Sequence, residues 1–340
     1  MTPRDRFLEG CLGESIEELS VAPFLKATAC EVSGISIRRY CENGQDLAEA
    51  QLKCARKFSV DSVNVASDVL IEAETMGSIS IHPENDFPRL ETPALDRMGV
   101  DEIPSPDVTA EGRFPVKIEA VRRLSDAEYA VIAWVMSAYQ LAAQLRGFKQ
   151  MVVDLMKHDP KVKPLLEKCL GVSREFAAVL AEEGADVIAI GNASSSMDIL
   201  SPRAYLDNLA EYDRRLSEAI RRKGALVQMH ICGNTLPILG ELDRMVDIVD
   251  VDHKVGVEES MRCLGNATMK GNMDPSLVRF APVQEVAQRT RMIVGAVKKA
   301  GRRRGFIFST GCEVPRDTPH ESIATMVASA REAWISLGKI

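Results

Sequence analysis

Short apolar runs recur along the chain, and each is followed by a stretch in which apolar residues return every three or four positions. The short runs predict buried strands, and the three-to-four spacing predicts amphipathic helices that pack on them. Phe176, Val179 and Leu180 illustrate the helical spacing. The predicted strands are Ser20–Leu25, Ser62–Ala66, Ala130–Met136, Asp186–Gly191, Leu226–Cys232, Ile248–Asp252, Ala267–Gly271 and Gly305–Thr310.

Strands that alternate with helices are typical of parallel βαβ units, and eight of them favour a closed TIM-type (β/α)8 barrel. A doubly wound open sheet is the alternative, but no Gly-x-Gly-x-x-Gly turn follows any predicted strand. We therefore predict an α/β chain that forms a single domain over residues 1–340, with an N-terminal helical lead-in. Arg302–Arg304, just before the last strand, are expected in a solvated turn at the bottom of the barrel.

One segment interrupts this alternation, between His82 and Pro115. It contains six prolines mixed with acidic residues, and neither helical nor strand periodicity persists in it. A long irregular stretch inside a domain is usually a functional excursion or a lid. In a barrel this one would leave the second strand on the C-terminal face, where barrel active sites lie.

Composition and charge narrow the class of protein. With 46% hydrophobic and 27% charged residues, the 340-residue chain has globular composition. A net charge of −7 offers neither a basic surface for nucleic acid nor a polybasic membrane anchor. The N-terminus lacks the apolar run of a signal peptide, so we expect a cytoplasmic protein with no membrane partner. In a reducing compartment, some of the eight cysteines are better read as metal ligands or reactive thiols than as disulfides.

The fifth predicted strand carries a polar face. The two-residue period of a strand places Gln228, His230 and Cys232 on one side, which would point into the barrel and rise toward its mouth. The eighth predicted strand ends just before another thiol, Cys312. The ends of strands five and eight can face one another across the mouth of a closed barrel.

An imidazole and two thiolates favour zinc over metals that prefer oxygen ligands. Three protein ligands with one exchangeable position are the pattern of a catalytic zinc site. Asp252, at the end of the sixth predicted strand, is our choice for a fourth ligand, and His253 is the alternative. A His-x-Cys pair on a strand is more often part of a packed core than of a metal site. The second thiol, Cys312, at the end of another strand, raises the weight of the metal-site hypothesis.

Several motifs together resemble the uroporphyrinogen decarboxylase superfamily, and within it the corrinoid-dependent zinc methyltransferases of the methylcobamide:coenzyme M methyltransferase type. The motifs with metal-ligand residues are His230-Ile-Cys-Gly-Asn-Thr235 and Gly311-Cys-Glu-Val-Pro-Arg-Asp-Thr-Pro319. The others are Thr2-Pro-Arg-Asp-Arg-Phe-Leu8, Asp61-Ser-Val-Asn-Val-Ala-Ser-Asp68, Asp186-Val-Ile-Ala-Ile-Gly-Asn192 and Gly271-Asn-Met-Asp-Pro275. The resemblance thus extends over nearly the whole chain.

The resemblance implies roles for individual residues. His230, Cys232 and Cys312 would be the zinc ligands, and Asp252 and Asp68 would have catalytic roles. The motif asparagines would contribute to cofactor binding; they are Asn192, Asn234 and Asn272. The barrel mouth would dock a separate protein that carries the corrinoid.

The implied activity is zinc-dependent methyl transfer to or from the cobalt of that corrinoid. The other reactant would be a small methyl donor, such as a methyl ether or methylamine, or a thiol acceptor such as coenzyme M. A metal-free decarboxylase is the alternative enzyme, although Phe24-Leu-Lys-Ala-Thr-Ala29 lacks the arginines that decarboxylases of the superfamily carry there. A non-catalytic binder of a corrinoid protein is the third hypothesis.

Overall fold

The computed structural model describes residues 1–13, 17–301 and 305–337, and within these ranges eight parallel strands form one sheet. The strands are β1 (Ser20–Val21), β2 (Ser62–Val65), β3 (Ala130–Met136), β4 (Val187–Gly191), β5 (Leu226–His230), β6 (Ile248–Asp250), β7 (Thr268–Met273) and β8 (Phe306–Thr310). From β2 to β8 each strand pairs with the next one in the chain, and β1 pairs with β8. This order confirms the predicted TIM-type fold. Arg302–Arg304 lie outside the described residues.

The seam between β1 and β2 is bridged by Asp61. Its backbone N–H donates to the Val21 carbonyl over 2.9 Å, and its carboxylate accepts from the Val21 N–H over 2.7 Å. Arg6 and Arg331 neutralise this fully buried carboxylate. Asp61 thus joins the two end strands, and the sheet is a nearly closed barrel.

Side chains alternate between the inside of the barrel and the layer beneath the helices, as the period of a strand requires. On β3, Ile132 and Trp134 belong to the interior cluster, whereas Val131 and Val135 belong to the larger cluster under the helices. Phe7, from the predicted helical lead-in, packs into the interior cluster at the N-terminal ends of the strands. The apolar positions along the strands therefore define two cores.

The helices surround the barrel. They are α1 (Pro3–Leu12), α2 (Ala27–Ser33), α3 (Ile37–Glu42), α4 (Gly44–Phe58), α5 (Ile71–Thr75), α6 (Phe114–Leu124), α7 (Ala138–Arg146), α8 (Phe148–Met156), α9 (Val162–Glu182), α10 (Pro202–Asn208), α11 (Ala210–Arg221), α12 (Leu239–Met245), α13 (Val257–Cys263), α14 (Pro275–Phe280), α15 (Val283–Lys299) and α16 (His320–Ser336). Among the described residues, no helix is both long and apolar enough to cross a membrane. The cytoplasmic location and the single-domain organisation stay predictions.

Four strands end at least two residues from the positions that the sequence pattern predicts. β1 has two residues instead of six, because Pro23 has no N–H to continue the ladder. β5 and β6 each end two residues early, which leaves Cys232 and Asp252 in the loops that follow. β7 runs on to Met273 and includes Asn272.

The excursion between His82 and Pro115 contains regular structure that its sequence did not predict. Arg89–Thr92, within it, pairs with Ile79–Ile81, just before it, as an antiparallel hairpin, and two 3-10 turns precede α6. Each hairpin strand has one exposed face and one half-buried face, and with three or four residues each is too short for this alternation to be recognised in the sequence. The segment contacts the loop that follows the C-terminal end of β8, since the Arg316 side chain donates to the Asn85 carbonyl.

Candidate metal centre

The three predicted metal ligands meet at the mouth of the barrel. His230 is the last residue of β5, Cys232 lies two residues beyond it, and Cys312 follows β8. Their ligand atoms all lie within 4.8 Å of one another, and His230 Nε2 lies 3.3 Å from Cys232 Sγ. The imidazole is buried, whereas both cysteines are partly exposed. The prediction that the ends of strands five and eight face one another is confirmed.

Two glycines let the loops with the thiols pack closely. A Cβ at Gly311, next to Cys312, would lie 2.4 Å from the backbone nitrogen of His253. Gly233, next to Cys232, has a φ of +85°, and a Cβ there would lie 2.5 Å from the Asp198 carboxylate. At Gly311 a larger residue would press on the backbone of Asp252 and His253, and at Gly233 it would strain the backbone because of the positive φ.

The three groups are coupled by hydrogen bonds. A hydrogen bond from Cys312 lowers the pKa of the Cys232 thiol, and the same bond, together with burial, raises the pKa of Cys312. Burial acts to lower the pKa of His230, but the hydrogen bond with Cys312 and the charge of Asp250 outweigh it and raise that pKa to about 9. A cation that bound here would therefore displace protons from a shared cluster.

Two charged side chains lie beside His230 on the next two strands. His230, Asp250 and Lys270 are partners in the register of β5, β6 and β7. Asp250 Oδ2 accepts from Lys270 Nζ over 2.9 Å and from Gln228 Nε2 over 3.1 Å. Sequence reasoning placed Gln228 inside the barrel but missed the other two. The sequence does contain a signal for both residues: each is a charged residue at an inward-facing position of a largely apolar strand.

Asp252 lies beside the cluster and supports its loops. Its carboxylate accepts from the N–H groups of Gly233 and Lys254, each over 2.9 Å, and it is not one of the three groups within 4.8 Å. Asn272 Nδ2 donates to the Asp252 carbonyl over 3.2 Å. His253 Nδ1 lies 3.2 Å from Asp252 Oδ1. Asp252 as the fourth ligand, with His253 as the alternative, stays a prediction.

The other predicted site residues are held by the protein itself. Asp68 pairs with Arg113; burial acts to raise the pKa of this carboxyl, but Arg113 lowers it below its usual range. Asn192 is buried and bonds to Ser137 and Asp213, each over 2.7 Å. Asn234 is exposed and accepts from the Leu236 N–H over 3.2 Å in an Asx turn. Their catalytic and cofactor-binding roles stay predictions.

The donor set fits zinc. Zinc–sulfur bonds of about 2.3 Å and zinc–nitrogen bonds of about 2.0 Å place tetrahedral ligand atoms roughly 3.5–3.8 Å apart. The three ligand atoms, all within 4.8 Å of one another, are close to that spacing. Because both thiols are partly exposed, the side toward the mouth is accessible to a further ligand. Zinc would thus find three protein ligands and one open position here.

A family model described as uroporphyrinogen decarboxylase (URO-D) matches residues 2–333, nearly the whole chain. The chain belongs to the uroporphyrinogen decarboxylase family. The chain is similar to members of this family that have different activities. It is 25% identical to the methylcobamide:CoM methyltransferase MtbA of Methanosarcina mazei, over 97% of this chain and 98% of that one. It is 23% identical to a uroporphyrinogen decarboxylase of Mannheimia succiniciproducens, over 94% of both chains.

Solved structures agree with the family in fold. A methyltransferase from Methanosarcina mazei superposes with a TM-score of 0.87 at 21% identity, and the match covers 98% of this chain and 99% of that one. A B12-independent methionine synthase from Shewanella superposes with a TM-score of 0.56 at 12% identity, over 85% and 86% of the two chains. These structural similarities establish the barrel fold of this chain.

Proposed function

We propose that this family member is a zinc-dependent methyltransferase that exchanges a methyl group with a corrinoid held by a partner protein. The cluster of His230, Cys232 and Cys312 at the barrel mouth is the observation that carries the proposal. The similarity to a methylcobamide:CoM methyltransferase over nearly the full length supports the corrinoid and a thiol acceptor. Methyl donors, such as ethers or methylamines, fit the same chemistry in the reverse direction.

Zinc bound to these residues would hold a thiol substrate as its thiolate, or act as a Lewis acid toward a departing group. His230 Nε2 and the two sulfurs would supply three ligands. Two cysteinates would balance the charge of the ion, so a further thiolate would make the site net negative and keep that sulfur nucleophilic. Asp252 orients the loop with Cys232 through its bond to the Gly233 N–H, and we propose that it rearranges when substrate binds.

Aromatic side chains form an apolar wall beside the cluster. Trp134 lies with its ring centroid 6.3 Å from that of His230, and Phe24 stacks on Trp134 at 4.7 Å. An apolar wall excludes water from a reactive thiolate or methyl group, which strengthens electrostatic interactions at the centre.

The test compares metal content and methyl transfer in the same preparations. The protein is purified anaerobically without a metal-binding tag, as wild type and as the His230→Ala and Cys312→Ser variants. Cys263→Ser, at an exposed position of α13, is the matched control. We expect about one zinc per chain in wild type and control, and loss of zinc in the two ligand variants.

Methyl transfer is then measured from methylcobalamin to thiols, and from methyl donors to Co(I) cobalamin. We expect transfer in one direction at least, lost in the two ligand variants. Wild-type protein without zinc, and with no gain in transfer when zinc is added, would contradict the proposal. Decarboxylation of uroporphyrinogen by the same preparation would then favour the alternative enzyme.

A further inference from the structure

Three neighbouring strands place a row of three polar side chains beside one another, and the row begins at His230 of the metal centre. His230 is the register partner of Asp250, and Asp250 is the register partner of Lys270, so the three side chains project side by side into the barrel. All three are buried, and Lys270 is only 1% exposed. A buried lysine is costly unless a carboxylate accepts its charge, and Asp250 Oδ2 does so at 2.9 Å.

Asp250 lies between Lys270 and the imidazole of His230. His230 Nδ1 lies 3.3 Å from the Asp250 backbone carbonyl and 3.8 Å from Asp250 Oδ2. The other ring nitrogen, Nε2, lies 3.3 Å from Cys232 Sγ. The Nδ1 hydrogen bond therefore goes to the Asp250 backbone carbonyl, one of the partners that a metal-binding histidine typically has. The Asp250 carboxylate lies beyond hydrogen-bond distance of Nδ1 and acts on the ring through its charge.

The position of the Asp250 carboxylate depends on two donors. Lys270 and Gln228 both donate to Oδ2, whereas Oδ1 has no hydrogen-bond partner within the part of the chain that the structure describes. One oxygen thus receives both donors and is the oxygen nearer to His230 Nδ1. Lys270 and Gln228 hold the negative charge on the side of the imidazole.

We infer that Asp250, held by Lys270, is a positioning residue for the metal centre. Its backbone carbonyl keeps His230 with Nδ1 protonated and Nε2 free to bind the ion, and the charge of its carboxylate strengthens the imidazole as a ligand. This inference rests on the proposed function, since it requires a metal at His230. Groups that surround a ligating histidine in this way typically contribute about 10- to 100-fold to metal affinity or activity.

The experiment uses Zn²⁺ alone, titrated into metal-free protein in competition with a chromophoric chelator. A second titration uses Co²⁺ alone, whose absorption bands report the ligand field. The variants are Asp250→Asn and Asp250→Asn/Lys270→Met, because the double variant removes the lysine that the single one leaves unpaired. Asp243→Asn is the matched control. Asp243 is a buried carboxylate that accepts from the Ala267 N–H over 2.8 Å, at the opposite end of β7.

We expect both Asp250 variants to bind Zn²⁺ about 10- to 100-fold more weakly and to show shifted Co²⁺ bands, with the control at wild-type values. Wild-type affinity and bands in both variants would overturn the inference and leave the proposed function standing. Recovery of wild-type affinity in the double variant alone would also overturn it, because the effect would then come from the unpaired lysine. Wild-type protein that binds no Zn²⁺ would overturn both.

Discussion

Asp213 is a buried carboxyl group whose environment predicts a measurable pH dependence of stability. Its Oδ2 accepts from the Tyr205 hydroxyl over 2.9 Å and from Asn192 Nδ2 over 2.7 Å. Burial raises the pKa of Asp213 to about 7, although both hydrogen bonds act to lower it. We predict that Asp213→Asn, which keeps the shape of the side chain and removes its titration, makes the protein less sensitive to pH.

The magnitude follows from the difference between folded and unfolded pKa values. An aspartate in an unfolded chain has a pKa of about 3.9, so between that value and about 7 the folded protein keeps a proton that the unfolded chain has released. This contribution to stability is complete below the unfolded pKa and is lost as the pH rises through the folded pKa. From about pH 5.5 to about pH 8.5, at about 1.36 kcal/mol per pKa unit, the loss is roughly 2 kcal/mol.

The assay is urea-induced unfolding, followed by tryptophan fluorescence at both pH values in wild type and Asp213→Asn. The free energy of unfolding of wild type should fall by about 2 kcal/mol more than that of the variant between the two conditions. This comparison isolates Asp213, because every other titrating group is common to the two proteins. Identical pH dependences would refute the reasoning and would mean that Asp213 is ionised in the folded protein at about pH 5.5.

Two further predictions concern the loops at the barrel mouth. Arg113→Met should lower the free energy of unfolding by about 3–5 kcal/mol, because it leaves the buried carboxylate of Asp68 without the cation that pairs with it. Urea-induced unfolding measures this difference, and a decrease of less than about 1 kcal/mol would contradict the prediction. Gly311→Ala should weaken zinc binding at least about tenfold, since its Cβ would lie 2.4 Å from the His253 backbone nitrogen. The zinc affinity is measured by competition with a chelator. Gly240→Ala is the control variant, because a Cβ at Gly240 would meet no described atom within 4 Å. Equal zinc affinities of the Gly311→Ala and Gly240→Ala variants would contradict the prediction.

Much of the barrel was predictable because its strands are buried on both faces. Strands of this kind are continuous apolar runs, and Ala130–Met136 was predicted with its observed bounds. The pairing of His230 and Cys232 with Cys312 was predictable for a related reason. The C-terminal ends of all strands in a parallel barrel meet at one face, whichever strands they belong to.

What the sequence did not predict depends on register and on short elements. Asp250 and Lys270 are 20 residues apart, and only the alignment of β6 with β7 shows that they form a pair. The hairpin of Ile79–Ile81 and Arg89–Thr92 has strands of three and four residues, too short for a periodic pattern. The early end of β1 has a signal in the sequence, because Pro23 has no N–H for the ladder, but Pro23 lies within an otherwise apolar run.

The central claim is that His230, Cys232 and Cys312 hold a zinc ion, and X-ray absorption at the zinc edge of the loaded protein tests it most directly. The account predicts two sulfur ligands at about 2.3 Å and a histidine nitrogen at about 2.0 Å in the wild type, and loss of this zinc in Cys312→Ser. A zinc ion with only oxygen and nitrogen neighbours in the wild type, or a zinc site with two sulfurs still present in Cys312→Ser, would contradict it.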